Sequence, residues 1–143
     1  MHIASKWRDQ RINAMPLDYL TLTDVHLDDR YKWKTLPSMK THGLNYPLVC
    51  FTANEKFYWD RFWKACPDFM KVRLPPPAIV NGIIYMIKGG NNRYQSANEL
   101  GYTSIDCMIF EDQKDAIKWM KYLDQCDPLN HPYLEFLGLI DYK

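Results

Sequence analysis

The spacing of apolar and polar residues changes several times along the chain, which predicts a mixture of strands and helices. Segments rich in β-branched and apolar residues predict strands at residues 18–27, 47–52, 83–87 and 104–110. Helical spacing predicts helices within residues 28–43, before Pro67, over residues 92–100 and over residues 111–123. Pro37 interrupts the first of these, so that helix either kinks or begins near the proline.

Asn81-Gly82 separates two apolar runs and is the strongest short-range hairpin signal in the chain. Both residue types tolerate the positive φ angles that a two-residue turn requires. We therefore expect residues 78–80 to pair antiparallel with residues 83–87. The second strand is almost entirely apolar, which predicts a central place in the sheet.

A second turn follows at Gly89-Gly90, where the apolar run of residues 83–88 gives way to a polar helical pattern. Asn92 can cap this helix, and Gln95 three residues later resembles the return half of a capping box. The residues expected on its buried face are Tyr94, Ala97 and Leu100. Gly101 is expected to end it.

Three segments lie outside this core pattern of residues 20–111. Residues 1–15 predict a mixed-charge N-terminal arm or short helix, whose basic and aromatic residues either touch nucleic acid or form a solvated face. Residues 54–77 form an insertion rich in aromatic residues and charges. Residues 112–143 predict a C-terminal helix and a tail that packs back on the body. No repeat or second domain is visible, so residues 1–143 are interpreted as a single domain.

Composition narrows the class of protein further. The chain has 143 residues with 47% hydrophobic and 15% aromatic residues, which is enough to bury a core. The formal net charge is only +1, so no global field favours nucleic acid, although a local basic patch remains compatible with this value.

The same sequence argues against a membrane span and for a reducing compartment. Its apolar runs are far shorter than the roughly 18 residues of a membrane span. The first 15 residues are too charged for a signal peptide. The four cysteines lack Cys-x-x-Cys spacing, which favours reduced thiols in a cytoplasmic protein.

The glycine turn has a chemical interpretation as well as a structural one. Glycines allow close approach of a ligand, and a helix N-terminus offers N–H groups and partial positive charge to an anion. Arg93 adds a fork of donors that suits phosphate oxygens. A tight turn with Arg93 in a surface ion pair would give the same sequence, so both interpretations stay open. The Gly-Lys-Ser/Thr ending of a Walker loop is missing.

The order of these features resembles the ParB N-terminal/sulfiredoxin-like family over roughly residues 20–111. The matching positions are Ser38-Met39, Gly43, Pro47, Gly89-Gly90, Arg93, Ala97, Leu100-Gly101 and Ile105. The resemblance implies a compact α/β (α+β) domain with a small mixed sheet and flanking helices. It also implies a nucleotide or phosphate site at Gly89, Gly90, Asn91, Asn92 and Arg93, with Lys34 and Ser38 contributed by the first helix.

What the domain does with such a ligand is open. Members of this fold are described as nucleases or nucleotide-dependent kinases, so the resemblance implies NTPase or nuclease activity, with Mg²⁺ accompanying a nucleoside triphosphate. Sulfiredoxin places a cysteine in this turn, and here the corresponding residues are Asn91 and Asn92, which excludes its reductase chemistry. ParB proteins carry further arginines in this turn and a helix-turn-helix domain after it, so the resemblance does not imply centromere binding. The compact stand-alone form resembles accessory proteins of bacteriophages, and a phage-encoded protein would lie in the host cytoplasm.

No catalytic residue is assigned. Asp28 and Asp29, with His26 nearby, either hold Mg²⁺ through oxygen ligands or cap a helix.

The alternative function is a non-enzymatic interaction or inhibitor protein that uses the aromatic insertion. Large aromatic residues dominate protein interfaces. The candidates are Trp59, Phe62, Trp63 and Phe69, which would contact a protein partner or a second copy in a homodimer. Packing of the same side chains onto their own core is the competing interpretation.

Overall fold

A five-stranded mixed sheet forms the centre of the computed structural model, which describes residues 12–44 and 46–124. The strands are β1 (Ile12–Pro16), β2 (Leu20–Thr21), β3 (Leu48–Ala53), β4 (Ile84–Gly89) and β5 (Ser104–Phe110). They lie in the order β1-β5-β3-β4-β2. β1–β5 and β3–β4 are antiparallel, whereas β3–β5 and β2–β4 are parallel. The α+β fold class is confirmed.

Helices cover both faces of this sheet. They are α1 (Tyr31–Lys34), α2 (Leu36–His42), α3 (Glu55–Phe57), α4 (Asp68–Lys71), α5 (Asn91–Glu99) and α6 (Gln113–Asp124). α3 continues directly into a π-helical segment, Tyr58–Trp63. Pro37 lies in the first turn of α2, where a missing N–H costs no hydrogen bond, so the helix does begin near the proline. No helix within the described ranges is long and apolar enough to cross a membrane.

Successive residues of β3 point to opposite faces of the sheet and enter two different hydrophobic clusters. Val49 and Phe51 pack with residues of the insertion and α6. Leu48 and Cys50 pack with residues of α2 and α5. All four are buried, which explains why the strand reads as a continuous apolar run.

The predicted hairpin is only partly correct. Asn81 and Gly82 adopt positive φ angles of 51° and 79°, and Val80 pairs with Ile83 as expected. Pairing stops there, because from Ile84 onward β4 is bonded to β3 on one side and reaches β2 on the other. The N–H of Ala78 donates to Thr21 Oγ1 at 3.0 Å instead. β3, and not the strand after the hairpin, is the middle strand of the sheet.

Two predictions near the N-terminus are wrong. The strand expected over residues 18–27 is reduced to β2, because Leu22 and Val25 leave the sheet to pack against Cys66 and Leu74 of the insertion. Residues 12–15, interpreted as part of an arm or helix, lie in the edge strand β1. β1 is largely exposed, so it carries no alternating apolar pattern to reveal it. The rest of the predicted arm and the tail from residue 125 lie outside the described residues.

Helix α5 begins two residues earlier than a cap at Asn92 would place it. Its N-cap is Gly90 and not Asn92, so the predicted capping box with Gln95 is wrong. The other predictions for α5 are confirmed: Ala97 is buried with Tyr94 and Leu100 packed around it, and Gly101 follows the helix with φ 82°.

Candidate functional site

Gly90 sets the direction in which the chain leaves β4. Its φ of 109° lies in the left-handed region, where a side chain is strained. A Cβ atom at this position would lie 2.7 Å from Cγ of the fully buried Leu48 and 3.0 Å from Nη2 of Arg93. The turn therefore requires glycine for both conformation and space. Gly90 also has no side chain to accept hydrogen bonds from the first N–H groups of α5.

The residues after Gly90 tie three separate segments to the start of α5. Asn91 Oδ1 accepts a hydrogen bond from the N–H of Thr23 at 2.9 Å, and Asn91 Nδ2 donates to Thr23 Oγ1 at 3.2 Å. Thr35, between α1 and α2, donates to the carbonyl of Asn92 at 3.1 Å. Arg93 reaches the loop before β3. The polar turn is thus a junction that fixes the surrounding loops.

Arg93 connects the start of α5 to the loop before β3. Its Nη1 donates to the carbonyls of Tyr46 and Pro47 at 2.7 and 2.9 Å, and the side chain is half-buried. Arg93 therefore has a structural role beside the turn.

A cleft of about 300 Å³ opens next to this junction. We call it the basic cleft; its lining residues are Asp24, His26, Lys34, Thr35, Lys88, Gly90, Asn91, Asn92 and Arg93. Lys34 comes from α1 and Lys88 from β4, and both side chains are exposed. The cleft thus collects two lysines and an arginine at the N-terminus of a nine-residue helix. Such a terminus favours anions, because its first N–H groups are free to donate and the helix dipole places partial positive charge there.

The structure gathers most, but not all, of the residues expected at a phosphate site. Lys34 and the run from Gly90 to Arg93 line the basic cleft, whereas Gly89 and Ser38 are not among its lining residues. The side chain of Asn91 is engaged by Thr23, so its amide serves the fold.

Lys88 and Thr35 line the cleft but were not predicted from the sequence, whereas His26 was expected beside the acidic pair of Asp28 and Asp29. Lys88 had a signal, since it is the one charged residue in the apolar run that leads to Gly89. On β4 its neighbour Ile87 is buried, so alternation turns Lys88 outward. Thr35 had no comparable signal.

The acidic pair proposed to hold Mg²⁺ lies elsewhere. Neither Asp28 nor Asp29 is among the residues lining the basic cleft. Asp29 Oδ1 accepts from Arg73 Nη2 at 2.7 Å, and the Asp29 carbonyl accepts from the N–H of Lys32 at the start of α1. The N-cap of α1 is Arg30 and no side chain caps this helix, so the helix-capping interpretation of the pair is wrong as well. Within the described residues, no group of three or more His, Cys, Asp or Glu could hold a metal.

The aromatic residues of the insertion divide into two kinds. Trp59 and Phe69 are exposed, with 43% and 46% of their surface accessible. Phe62 and Trp63 are half-buried and pack against hydrophobic core clusters. Trp63 also packs edge-on against Trp59, with ring centres 5.7 Å apart. The competing interpretation as core packing thus describes Phe62 and Trp63, while a protein interface formed by Trp59 and Phe69 stays a prediction.

Three of the cysteines lie in the described residues, and all are free and buried. Burial raises the pKa of the Cys66 thiol, and burial together with a hydrogen bond to Cys50 raises the pKa of Cys107 well above its usual range. A raised pKa disfavours the nucleophilic thiolate. These cysteines are therefore structural.

Known structures of similar fold have been found, although no family model and no curated protein matches the sequence. One is sulfiredoxin from Arabidopsis thaliana, with 19% identity and a TM-score of 0.43 over 76% of this chain and 93% of that chain. Another is the C-terminally truncated chromosome-partitioning protein ParB from Caulobacter crescentus, complexed with CTP-gamma-S. It shows 14% identity and a TM-score of 0.47 over 81% of this chain.

The fold is similar to that of sulfiredoxin and ParB. This agrees with the resemblance noted from the sequence. The likeness concerns the fold alone. This chain spans 54%, about half, of the length of the ParB structure.

Proposed function

We propose that the basic cleft binds the phosphate groups of a nucleotide. The observation that carries this proposal is the convergence of Lys34, Lys88 and Arg93 on the uncapped start of α5. The three side chains come from α1, β4 and α5, so the fold itself brings the charges together. Exposed lysines supply mobile donors for phosphate oxygens, while Arg93 is held in place by the carbonyls of Tyr46 and Pro47.

The basic cleft also offers a carboxylate to Mg²⁺. The ion is usually held by one or two carboxylates together with the phosphates of the substrate, and it does not need a cage made only of protein ligands. Asp24 is the one acidic residue among the described residues that line the cleft. Asp24 would therefore be the protein ligand of Mg²⁺ brought in by a nucleoside triphosphate.

The experiment is calorimetric titration of the protein with ATP, CTP, GTP and UTP in the presence of Mg²⁺. CTP is included because the ParB structure of similar fold is a complex with CTP-gamma-S. Lys34→Ala and Lys88→Ala should each weaken binding about tenfold, the value of one charge-assisted hydrogen bond of roughly 1.4 kcal/mol. Both side chains are exposed, so unfolding midpoints should stay unchanged.

Lys40→Ala is the matched control, because Lys40 is also an exposed lysine on a helix of this face but does not line the cleft. It should bind nucleotide as the parent does. Absence of binding at millimolar nucleotide, or an equal effect of all three lysine substitutions, would remove the proposal. Release of phosphate in the same samples would report NTPase activity, and cleavage of a labelled oligonucleotide would report nuclease activity.

The alternative function, a protein-interaction module, has a narrower basis than expected. Trp59 and Phe69 are the exposed members of the four aromatic candidates. If they contact a second copy, the parent should dimerise in sedimentation experiments, and Trp59→Ala with Phe69→Ala should return it to a monomer.

A further inference from the structure

We propose that a second cleft, formed with the aromatic insertion, is the nucleoside subsite of this domain, so that the ligand is a nucleotide and not phosphate alone. This inference rests on the proposed phosphate site. The second cleft has a volume of about 350 Å³ and shares Asp24, Lys88 and Asn91 with the basic cleft. The two clefts therefore adjoin.

The walls of the second cleft differ in chemistry from those of the first. Phe62 and Met70 of the insertion are half-buried walls of the cleft, and Phe51 and Met86 of the sheet lie buried at its base. These four side chains are apolar, and aromatic and thioether groups pack well against flat rings. A polyphosphate has no group that would use such walls, whereas a nucleobase does.

Polar groups in the same walls favour a heteroaromatic ring over a plain hydrocarbon. Gln113, at the start of α6, lines the cleft with an amide that can both donate and accept. An acyl chain in the cleft would bury this amide without a hydrogen-bond partner, which costs free energy, so an acyl chain would be a poor occupant. A nucleobase, with donors and acceptors along its edge, can satisfy Gln113 and also pack on the apolar walls.

The size and order of the clefts fit the same ligand. Pockets for small ligands span roughly 300–1,000 Å³, and the two clefts measure about 300 and 350 Å³. A third cleft of about 400 Å³ shares Phe62, Met70 and Gln113 with the second. Lys34, Lys88 and Arg93 therefore lie at one end, and the other end is formed by apolar side chains of the insertion together with one arginine, Arg61. Phosphates joined through a ribose to a base have the same order.

The insertion thereby has a proposed role in binding the nucleoside, which its aromatic content alone did not indicate. Phe62, assigned from sequence to a protein interface, instead lines the second and third clefts and packs against the core. Phe69, from the same segment, is exposed and is not among the residues lining either cleft. A role in nucleoside binding is therefore expected for Phe62 and not for Phe69.

The test compares nucleoside triphosphates with inorganic triphosphate by calorimetry, both with Mg²⁺. At least one nucleoside triphosphate should bind the parent ten or more times more tightly than inorganic triphosphate. Met70→Ala and Gln113→Ala should each reduce that nucleotide's affinity severalfold and leave the affinity for inorganic triphosphate unchanged. Lys34→Ala should weaken both ligands.

Phe69→Ala is the matched control and should leave both affinities as in the parent. Phe62→Ala is a poorer probe, because Phe62 packs against two core clusters and its loss would destabilise the fold. Equal affinity of the parent for both ligands, or equal loss of both in Met70→Ala, would overturn the nucleoside subsite while leaving the phosphate site standing. Failure of both ligands to bind would instead overturn the phosphate site and the inference with it.

Discussion

Strand β4 lies between two glycine turns that look alike in sequence and differ in their surroundings. Gly82 and Gly90 have φ angles of 79° and 109°, so both adopt a conformation that favours glycine. A Cβ atom on Gly82 would meet nothing within 4 Å, whereas one on Gly90 would clash with Leu48 and Arg93. The first turn reverses the chain at the surface. The second is packed into a junction of several segments.

A turn motif therefore specifies a backbone conformation, but the contacts around the turn decide how much it contributes to the stability of the fold. Around Asn81-Gly82 the structure adds one pair of bonds, between Val80 and Ile83. Around Gly90, the residues Asn91 and Arg93 hold loops more than 40 positions away in the chain. Substitutions at the two turns should therefore have very different effects.

Gly90→Ala should have the largest effect. The left-handed conformation and the contact with buried Leu48 together should cost roughly 2–4 kcal/mol of folding free energy. Urea unfolding measures this as a lower midpoint at an unchanged slope. Gly89→Ala is the control: its Cβ would meet the end of the flexible Met120 side chain at 2.8 Å, which can move aside. Equal stability of the two variants would contradict the packed-junction interpretation.

Arg93→Ala should have the second-largest effect. It should cost about 2–3 kcal/mol of folding free energy, because it removes the charged donor to the carbonyls of Tyr46 and Pro47. Arg93→Lys tests the cause. A lysine keeps the charge but not the fork of donors, so it should restore part of the nucleotide affinity and little of the stability. A folding free energy of Arg93→Ala equal to that of the parent would mean that the junction does not depend on this side chain.

Asn91→Ala should cost about 1–2 kcal/mol, because the N–H of Thr23 loses its acceptor and Thr23 Oγ1 loses a donor. A double-mutant cycle with Thr23→Ala isolates the pair. The two substitutions should be clearly non-additive. Additive losses would show that Asn91 stabilises the start of α5 independently of the loop at Thr23.

Gly82→Ala should have the smallest effect, about 1 kcal/mol, from the backbone strain alone. Gly82→Asn should lose less, because asparagine tolerates the left-handed region better than alanine. Nucleotide affinity should not change in either variant, since Gly82 precedes β4, whereas Gly90 follows it, and Gly82 lines none of the three clefts. If Gly82→Ala lost as much folding free energy as Gly90→Ala, the two turns would not differ in the way that their surroundings indicate.

One half of the proposed ligand site could be predicted from the sequence, and the other half could not. Gly90, Arg93 and Lys34 were predicted from motif order and family resemblance, and all three line the basic cleft. Met70 and Gln113, by contrast, carry no motif. They meet Met86 only because the insertion folds back across the sheet and α6 begins beside it. Contacts between segments so distant in the chain leave no periodic or local signal.

The sequence by itself determined the local structure: the strands β3 and β5, the two glycine turns, the break at Pro37 and the buried face of α5. Each depends on residues near one another in the chain, whose propensity and spacing act directly on the backbone. The tertiary structure decided which strand lies in the middle, where Asn91 and Arg93 make their bonds, and which aromatic residues of the insertion face a cleft. Those outcomes depend on packing between distant segments, and packing selects among local conformations that the sequence leaves equally open.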